Sequence, residues 1–434
     1  MQLTERFNYP ESYDVASKHA LERALNTAQA YAPWRELDPG PSAPINDRYA
    51  AMPALDKQMI RDHFPTGLVP DHKDVQEGLL TEAIQYTFTS GTTGDRVINI
   101  WDQDWWDRAE QSAWQLNAHL ARLSYPQIEA KLASSLNVGI SCEEDLPMSS
   151  RIVGHRLYLN EKINLVQWMP RHYIRMANEL QLFQPIIIEA NPTLLARLAF
   201  WAMDNGVQMH QPAAIVYSYE FPSIIHRRAI AEVFAAPQIS SYGTTETGFV
   251  LQECECGLLH QNLDFCRIDF EPLVDKFGGP DLGRILVSTF QNPWNAVIRF
   301  DVGDLVRLHT SSECRCGRGE GMIATAIEGR VGNVTFTTEG GLVTTQALDQ
   351  ALAQIEGIRD YHLDQESPTD YHLELMAKGE TAAIEGATRQ TLRDLYGADG
   401  SFDIQFTDNL LPGQAGKFRR SQANFDFDER GLFA

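Results

Sequence analysis

Tyr86-Thr-Phe-Thr-Ser-Gly-Thr-Thr-Gly94 gathers hydroxyls and glycines directly behind a short apolar, β-like segment. Glycine lets backbone N–H groups turn toward an anion with no Cβ in the way. Threonine and serine hydroxyls add further donors. Such a loop suits a polyphosphate that is being cleaved. It is not a Walker A loop, because the GxxxxGK[ST] order and its lysine are missing. Taken alone, the same composition is also that of an ordinary turn. What decides between the two lies further along the chain.

Around this loop the chain has the composition of a soluble globular protein. It has 434 residues, 43% of them hydrophobic and 22% charged, which is enough for a large core and more than one domain. No apolar stretch reaches the roughly 18 residues that a membrane span needs. The start, Met1-Gln-Leu-Thr-Glu-Arg-Phe7, has neither a basic nor an apolar leader pattern, so a cytoplasmic location and no membrane partner are expected. A net charge of −22 argues against nucleic-acid binding, which rests on phosphate neutralisation by Lys and Arg. ATP needs only local donors and is not excluded.

Behind the loop, Val97-Ile-Asn-Ile100 reads as a strand, and Asp102 is placed to cap a helix in which Trp106, Ala109, Ala113, Leu116, Leu120 and Leu123 recur at helical spacing. Ahead of it, Asp14 to Ala32 has helical composition. From Ile163 onward short apolar runs alternate with helical patterns. The runs are Ile163-Asn-Leu-Val166, Pro185-Ile-Ile-Ile-Glu189, Ala213-Ala-Ile-Val-Tyr217 and Ile239-Ser-Ser-Tyr242; the helices are Thr193 to Asn205 and Ser223 to Phe234. This alternation predicts an α/β fold with a partly parallel sheet. A β-rich stretch follows, with Arg267-Ile-Asp-Phe270, Arg284 to Thr289 and Ala296-Val-Ile-Arg-Phe300. The residues after Gly329-Arg-Val-Gly332 read as a small α+β unit.

Three more loops carry chemistry. Ser241-Tyr-Gly-Thr-Thr-Glu-Thr-Gly248 combines a ring that can stack on a base with a carboxylate that can hold magnesium, an ion that prefers oxygen ligands. Arg299-Phe-Asp-Val-Gly-Asp304 ends in a carboxylate suited to two vicinal hydroxyls. Pro412-Gly-Gln-Ala-Gly-Lys417 presents a lysine from a glycine-bearing loop, a mobile point charge. The order TSGTTG, SYGTTE, VGD, GR and a late GK, spanning about Tyr86 to Lys417, resembles the adenylate-forming superfamily of acyl-CoA synthetases. Within it the chain is most similar to the phenylacetate–CoA ligase-like branch, through Glu253-Cys-Glu-Cys-Gly-Leu-Leu-His260 and Pro280-Asp-Leu-Gly-Arg-Ile-Leu-Val-Ser-Thr-Phe290.

The resemblance implies a two-step reaction: a carboxylate attacks the α-phosphate of ATP, and a thiol, usually coenzyme A, then displaces AMP. It implies that Thr89, Ser90, Gly91, Thr92, Thr93 and Gly94 hold the β- and γ-phosphates. Tyr242, with Gly243 and Thr244, would meet the nucleotide and stack on adenine. Thr245 would touch the α-phosphate, and Glu246 would hold magnesium. Asp304 would bind the ribose with help from Arg330, and Lys417 would bridge carboxylate and α-phosphate. Ser218-Tyr-Glu-Phe-Pro222 stands where the branch has its adenine-site turn and matches it at Glu220. The implied architecture is a large ATP- and acid-binding domain, 1–330, and a mobile C-terminal lid, 331–434. The acid is small, with an aromatic one expected. A carrier-protein thiol or an amine is an alternative acceptor, since the hinge reads Gly329-Arg-Val-Gly332-Asn333 and the usual coenzyme A channel segment has become Gly341-Leu-Val-Thr-Thr345. A homodimer is compatible with the resemblance. A binding protein without turnover is the rival class, and retention of Glu246, Asp304 and Lys417 argues against it.

Of six cysteines, four form two CxCG pairs, Cys254/Cys256 and Cys314/Cys316. Two such knuckles supply four ligands for a structural zinc, within a β-rich subregion at about 250–320. Four unligated thiols are the alternative, and His260 is placed to replace one cysteine. Cys142 and Cys266 read as ordinary thiols.

Overall fold

The alternating apolar runs pair side by side. Ile187–Ala190, Ala214–Tyr217 and Gln238–Thr244 lie parallel, with Ile188 opposite Ile215 and Val216 opposite Ile239. The computed structural model describes residues 3–88, 97–413 and 416–433, the side chain of Gln167 excepted. Glu129–Leu132 extends the parallel half beyond Ile187–Ala190, and Arg156–Tyr158 adds to it in parallel. On the other flank Gly248–Glu253 turns back antiparallel. Leu259–Gln261, Ile323–Arg330, Phe300–Leu308, Leu282–Thr289 and Cys266–Pro272 follow in that spatial order, and Ile152–Val153, antiparallel to Arg156–Tyr158 at the far edge, completes a mixed twelve-stranded sheet among the described residues. The fold class is α/β.

The crossover helices begin where their caps dictate. Asn191 accepts from the Thr193 and Leu194 amides, Pro192 supplies a preset first turn, and Pro192–Asn205 ends at Gly206 with φ +63°. Ser223 caps Ile224–Val233 through the Ile225 amide. Leu194, Leu195 and Leu198 bury against Ile188, Ile215, Leu132 and Leu157. Each such side chain contributes about 1.5–3 kcal/mol. The C-terminal stretch builds its own four-stranded sheet, in the order Ser401–Phe406, Asp370–Ala377, Ile358–Gln365, Ser421–Ala423. Helices Thr345–Leu352 and Thr381–Tyr396 close its core with Leu348, Leu392 and Tyr396.

Four stretches differ from the sequence reading. Ile163–Val166 is not a strand: the Asn164 side chain accepts from the Val166 amide and starts the 3-10 turn Leu165–Gln167. Ala296–Phe300 is mostly irregular, its backbone bonded to Tyr31 and Ser288 side chains, and Arg299 has φ +51°; the strand proper is Phe300–Leu308. Asp102 caps as expected, but the helix is Gln103–Trp114 and stops short of Leu123. Glu129–Leu132 is a strand that no apolar run announces, because Glu129 and Lys131 enter the interior as partners of Arg156 and Glu189. Among the described residues no helix is long and apolar enough to cross a membrane.

The hairpin joining the two halves of the sheet is pinched at Gly243, where a Cβ would lie 2.2 Å from the Gly248 carbonyl oxygen. Gly243→Ala should lower the urea midpoint by the equivalent of about 1–3 kcal/mol. Gly386, inside helix Thr381–Tyr396 with open space around it, is the matched control. Gly386→Ala should leave the midpoint unchanged or raise it by up to about 1 kcal/mol.

Candidate active site

The parallel strands end at a common edge, and the charged groups singled out in the sequence collect there. The strand Gln238–Thr244 delivers Tyr242 and then turns through Thr244–Thr247, where the two threonine hydroxyls lie 2.9 Å apart. The turn carries Thr245, half-buried, and Glu246, buried. The Tyr242 hydroxyl donates to Asp304 Oδ2 at 2.8 Å. Asp304 lies opposite Arg330 across two strands, and Arg330 Nε stands 3.4 Å from Asp304 Oδ1. Arg330 also donates to the Val302 carbonyl at 3.0 Å. Gly303, with φ +77°, takes a left-handed backbone conformation that favours glycine beside the Arg330 guanidinium. Burial, and then Asp304, push the Tyr242 hydroxyl far above its ordinary pKa, so it stays protonated as a donor.

Lys417 reaches this group from the far end of the chain. Burial, with Arg330 beside it, pulls its ammonium below the ordinary lysine range, against Glu220, Asp304 and Glu246. Glu220 follows the strand Ala214–Tyr217 and Tyr219, whose φ is +77°. Its Oε1 accepts from the Phe418 amide at 2.8 Å, and its Oε2 from the Thr193 hydroxyl at 3.2 Å. Burial raises it above the usual carboxylate range. The Lys417 loop also packs on Ser134, whose Oγ lies 2.3 Å from where a Cβ on Gly416 would stand. Residues 89–94 lie outside the described residues, as do 414 and 415.

Glu220, Tyr242, Glu246, Asp304, Arg330 and Lys417 are therefore brought together. The arrangement offers a cation beside a cluster of carboxylates, half-buried apart from the buried Glu246, which suits the charge redistribution of phosphoryl chemistry. Residues that no motif marked complete it. Thr193 and Arg420 bond each other at 2.9 Å. Asp349 accepts from Ser223 Oγ at 2.6 Å and the Ile224 amide at 2.7 Å, joining the C-terminal sheet to the start of helix Ile224–Val233. No local pattern could have announced these contacts, since each joins stretches over a hundred residues apart.

The cysteine pairs form a second centre. Both knuckles have one shape: Gly257 and Gly317, each with φ +83°, donate to the Cys254 and Cys314 carbonyls at 3.0 and 2.9 Å. Cys254 Sγ and Cys314 Sγ lie 3.7 Å apart, and Cys316 Sγ lies 3.4 Å from His260 Nε2. The donor atoms of Cys254, His260, Cys314 and Cys316 all fall within 4.8 Å of one another. Cys256 is not in this group, which departs from the all-cysteine set expected from the spacing. The first turn runs directly into the strand Leu259–Gln261, and pairing of His260 with Gln252 and Ile323 brings its imidazole to the cluster instead. Three thiols and one imidazole match the chemistry of a closed tetrahedral zinc site.

No family model matches the chain. Protein CapK of Staphylococcus aureus is 22% identical over 260 residues, 58% of this chain; the match spans little more than half, 55%, of that protein. Among solved structures, 2-hydroxyisobutyryl-CoA ligase in the postadenylation state is 15% identical, covers 99% of this chain and 92% of its own, and superposes with a TM-score of 0.72. The same ligase in its thioesterification state, 17% identical and covering 97% and 92%, gives 0.56. The anthranilate CoA ligase AuaEII is 14% identical, covers 78% of this chain and 66% of its own, and gives 0.51. Over nearly its whole length, this chain has the fold of the adenylate-forming acyl-CoA ligases.

Proposed function

We propose that the protein activates a small carboxylic acid with ATP and passes the acyl group to a thiol, with coenzyme A as acceptor. The observation that carries this reading is the placement of a half-buried Lys417 beside Glu220, Asp304 and Glu246. In the first step an acid oxygen bonds to the α-phosphorus of ATP, the bond to pyrophosphate breaks, and the acyl-adenylate forms. In the second a thiol sulfur bonds to the acyl carbon, AMP leaves, and the thiol proton goes to solvent.

In this reading Lys417 lies between the acid carboxylate and the α-phosphate, and its charge offsets what develops there. Asp304, held by Tyr242 and Arg330, faces the ribose hydroxyls. Thr245 meets the α-phosphate, and Thr89 to Gly94 meet the terminal phosphates. Glu246 would hold magnesium, which neutralises phosphate charge when bound. Residues 331–434 act as the lid that carries Lys417. Support for coenzyme A and a small acid comes from the ligases that share the fold, named for the 2-hydroxyisobutyryl and anthranilate thioesters. An aromatic acid remains the expectation from the sequence.

The test is ATP–pyrophosphate exchange with a panel of aromatic and short hydroxylated acids, followed by mass detection of a thioester after adding coenzyme A. Exchange with at least one acid is expected; none at saturating ATP and magnesium would refute the reading. Lys417→Ala should lower exchange by roughly 100-fold or more while ATP binding persists. Exchange at the wild-type rate in that variant would remove Lys417 from the role.

We also propose a structural zinc at Cys254, His260, Cys314 and Cys316. Elemental analysis of chelator-free protein should find about one zinc per chain. His260→Ala and Cys314→Ser should lose metal and melt earlier, whereas Cys256→Ser should keep both. Equal loss in Cys256→Ser would restore the all-cysteine set.

A further inference from the structure

Immediately after Lys417 the chain enters a closed ring of hydrogen bonds. The Phe418 amide donates to Glu220 Oε1 at 2.8 Å. The Thr193 hydroxyl donates to Glu220 Oε2 at 3.2 Å and accepts from Arg420 Nη2 at 2.9 Å. The backbone from Phe418 to Arg420 completes the circuit. Thr193 and Glu220 belong to the part built on the twelve-stranded sheet; Phe418 and Arg420 belong to the C-terminal part. The ring is thus a joint between the two.

Its members are fixed from outside. Thr193 stands in the first turn of helix Pro192–Asn205, its amide bonded by the Asn191 cap. Arg420 is buried, and its second arm pairs with Asp360. His226 completes the surround: its Nδ1 lies 3.3 Å from Arg420 Nη2 and its Nε2 lies 3.4 Å from Asp360 Oδ1. The guanidinium lies over the Tyr361 ring, 5.3 Å from its centroid. A buried guanidinium has to satisfy its fork of N–H groups. Asp360 and Thr193 accept from it here, and Thr193 is reached only when the C-terminal part is docked. Lysine loses much rotamer freedom when it is held at one point. Fixing the backbone next to it removes part of that cost before any substrate arrives.

We propose that Thr193, Glu220 and Arg420 form a clasp that positions Lys417 for adenylation. The inference rests on the adenylation reading above. Thr193 and Arg420 are positioning residues: they act through the Lys417 backbone. Because Lys417 is assigned to the first half-reaction, the clasp should matter there and not in the second. Removing the Thr193 hydroxyl breaks the ring at one point and leaves the helix cap in place.

The experiment compares the full-length chain with Thr193→Val and Thr193→Ser in three measurements: hydrogen exchange of peptides containing Phe418, ATP–pyrophosphate exchange, and thioester formation from synthetic acyl-adenylate and coenzyme A. In Thr193→Val the Phe418 amide should exchange faster. Adenylation kcat should fall by up to roughly 100-fold, with KM for ATP unchanged. Thioester formation from the supplied adenylate should hold. Thr193→Ser should behave as wild type. Lys417→Ala/Thr193→Val should be no slower in adenylation than Lys417→Ala alone. Equal losses in both half-reactions, an unchanged Phe418 amide, or a further loss in the double variant would overturn the clasp. Should Thr193→Val fail to fold, Arg420→Lys, which keeps the charge and loses the fork, is read by the same measurements. A wild-type chain that shows no adenylation, yet has a protected Phe418 amide released in Thr193→Val, would refute the adenylation reading while upholding the joint.

Discussion

An ammonium group taken out of water has to be matched by opposite charge, or it costs several kcal/mol. Lys417 is half-buried among Arg330 and the carboxylates Glu220, Asp304 and Glu246, and those carboxylates come from three separate stretches. One follows a parallel strand, one sits in an antiparallel strand and one lies in the hairpin between the two halves of the sheet. Docking of the C-terminal sheet and assembly of the site are therefore one physical event. The rest of the interface follows the same logic. Asp349 takes the positive end of helix Ile224–Val233, and Asp204 receives Arg359 and Lys378 at 2.6 and 2.7 Å. Hydrogen bonds from Arg359 and then Lys378 hold Asp204 at about 2, below the usual carboxylate range.

Matched burial also shapes the parallel half of the sheet. Lys131, Glu189, Glu129 and Arg156 face one another on one side of it. Burial pushes Glu129 up to about 8 despite Lys131, whereas Lys131 overrides burial and holds Glu189 at about 2. The hydroxyl of Tyr219 bonds Glu189, so this charged layer touches the turn that carries Glu220. A chain with net charge −22 thus spends part of its scarce positive charge inside, beside the site. On the opposite flank the cluster of Cys254, His260, Cys314 and Cys316 ties two turns to one strand, close to where the antiparallel half begins.

Much of the fold was readable without coordinates. The runs at Pro185–Glu189 and Ala213–Tyr217 were legible because strands buried on both faces are continuously apolar. Asp102 and Ser223 were legible as caps or helix starts because the groups they satisfy lie two or three residues away. Glu129–Leu132 was not, because its charges are neutralised by residues elsewhere in the chain. Ala296–Phe300 misled because an apolar run says nothing about who satisfies its backbone, and here Tyr31 and Ser288 do so.

By itself, the sequence determined the chemical inventory and its order: a hydroxyl- and glycine-rich loop, the SYGTTE hairpin, Asp304, Arg330, two glycine-closed cysteine knuckles and a late lysine. Those are local properties, set by residues within a few positions of one another. Tertiary structure alone decided which atoms meet. It put His260 rather than Cys256 among the thiols, set Glu220 against the Phe418 amide, and placed Arg420 on Thr193. The last two contacts join residues 198 and 227 positions apart. Contacts of that span leave no period in the chain, because they exist only once two separately built sheets have docked.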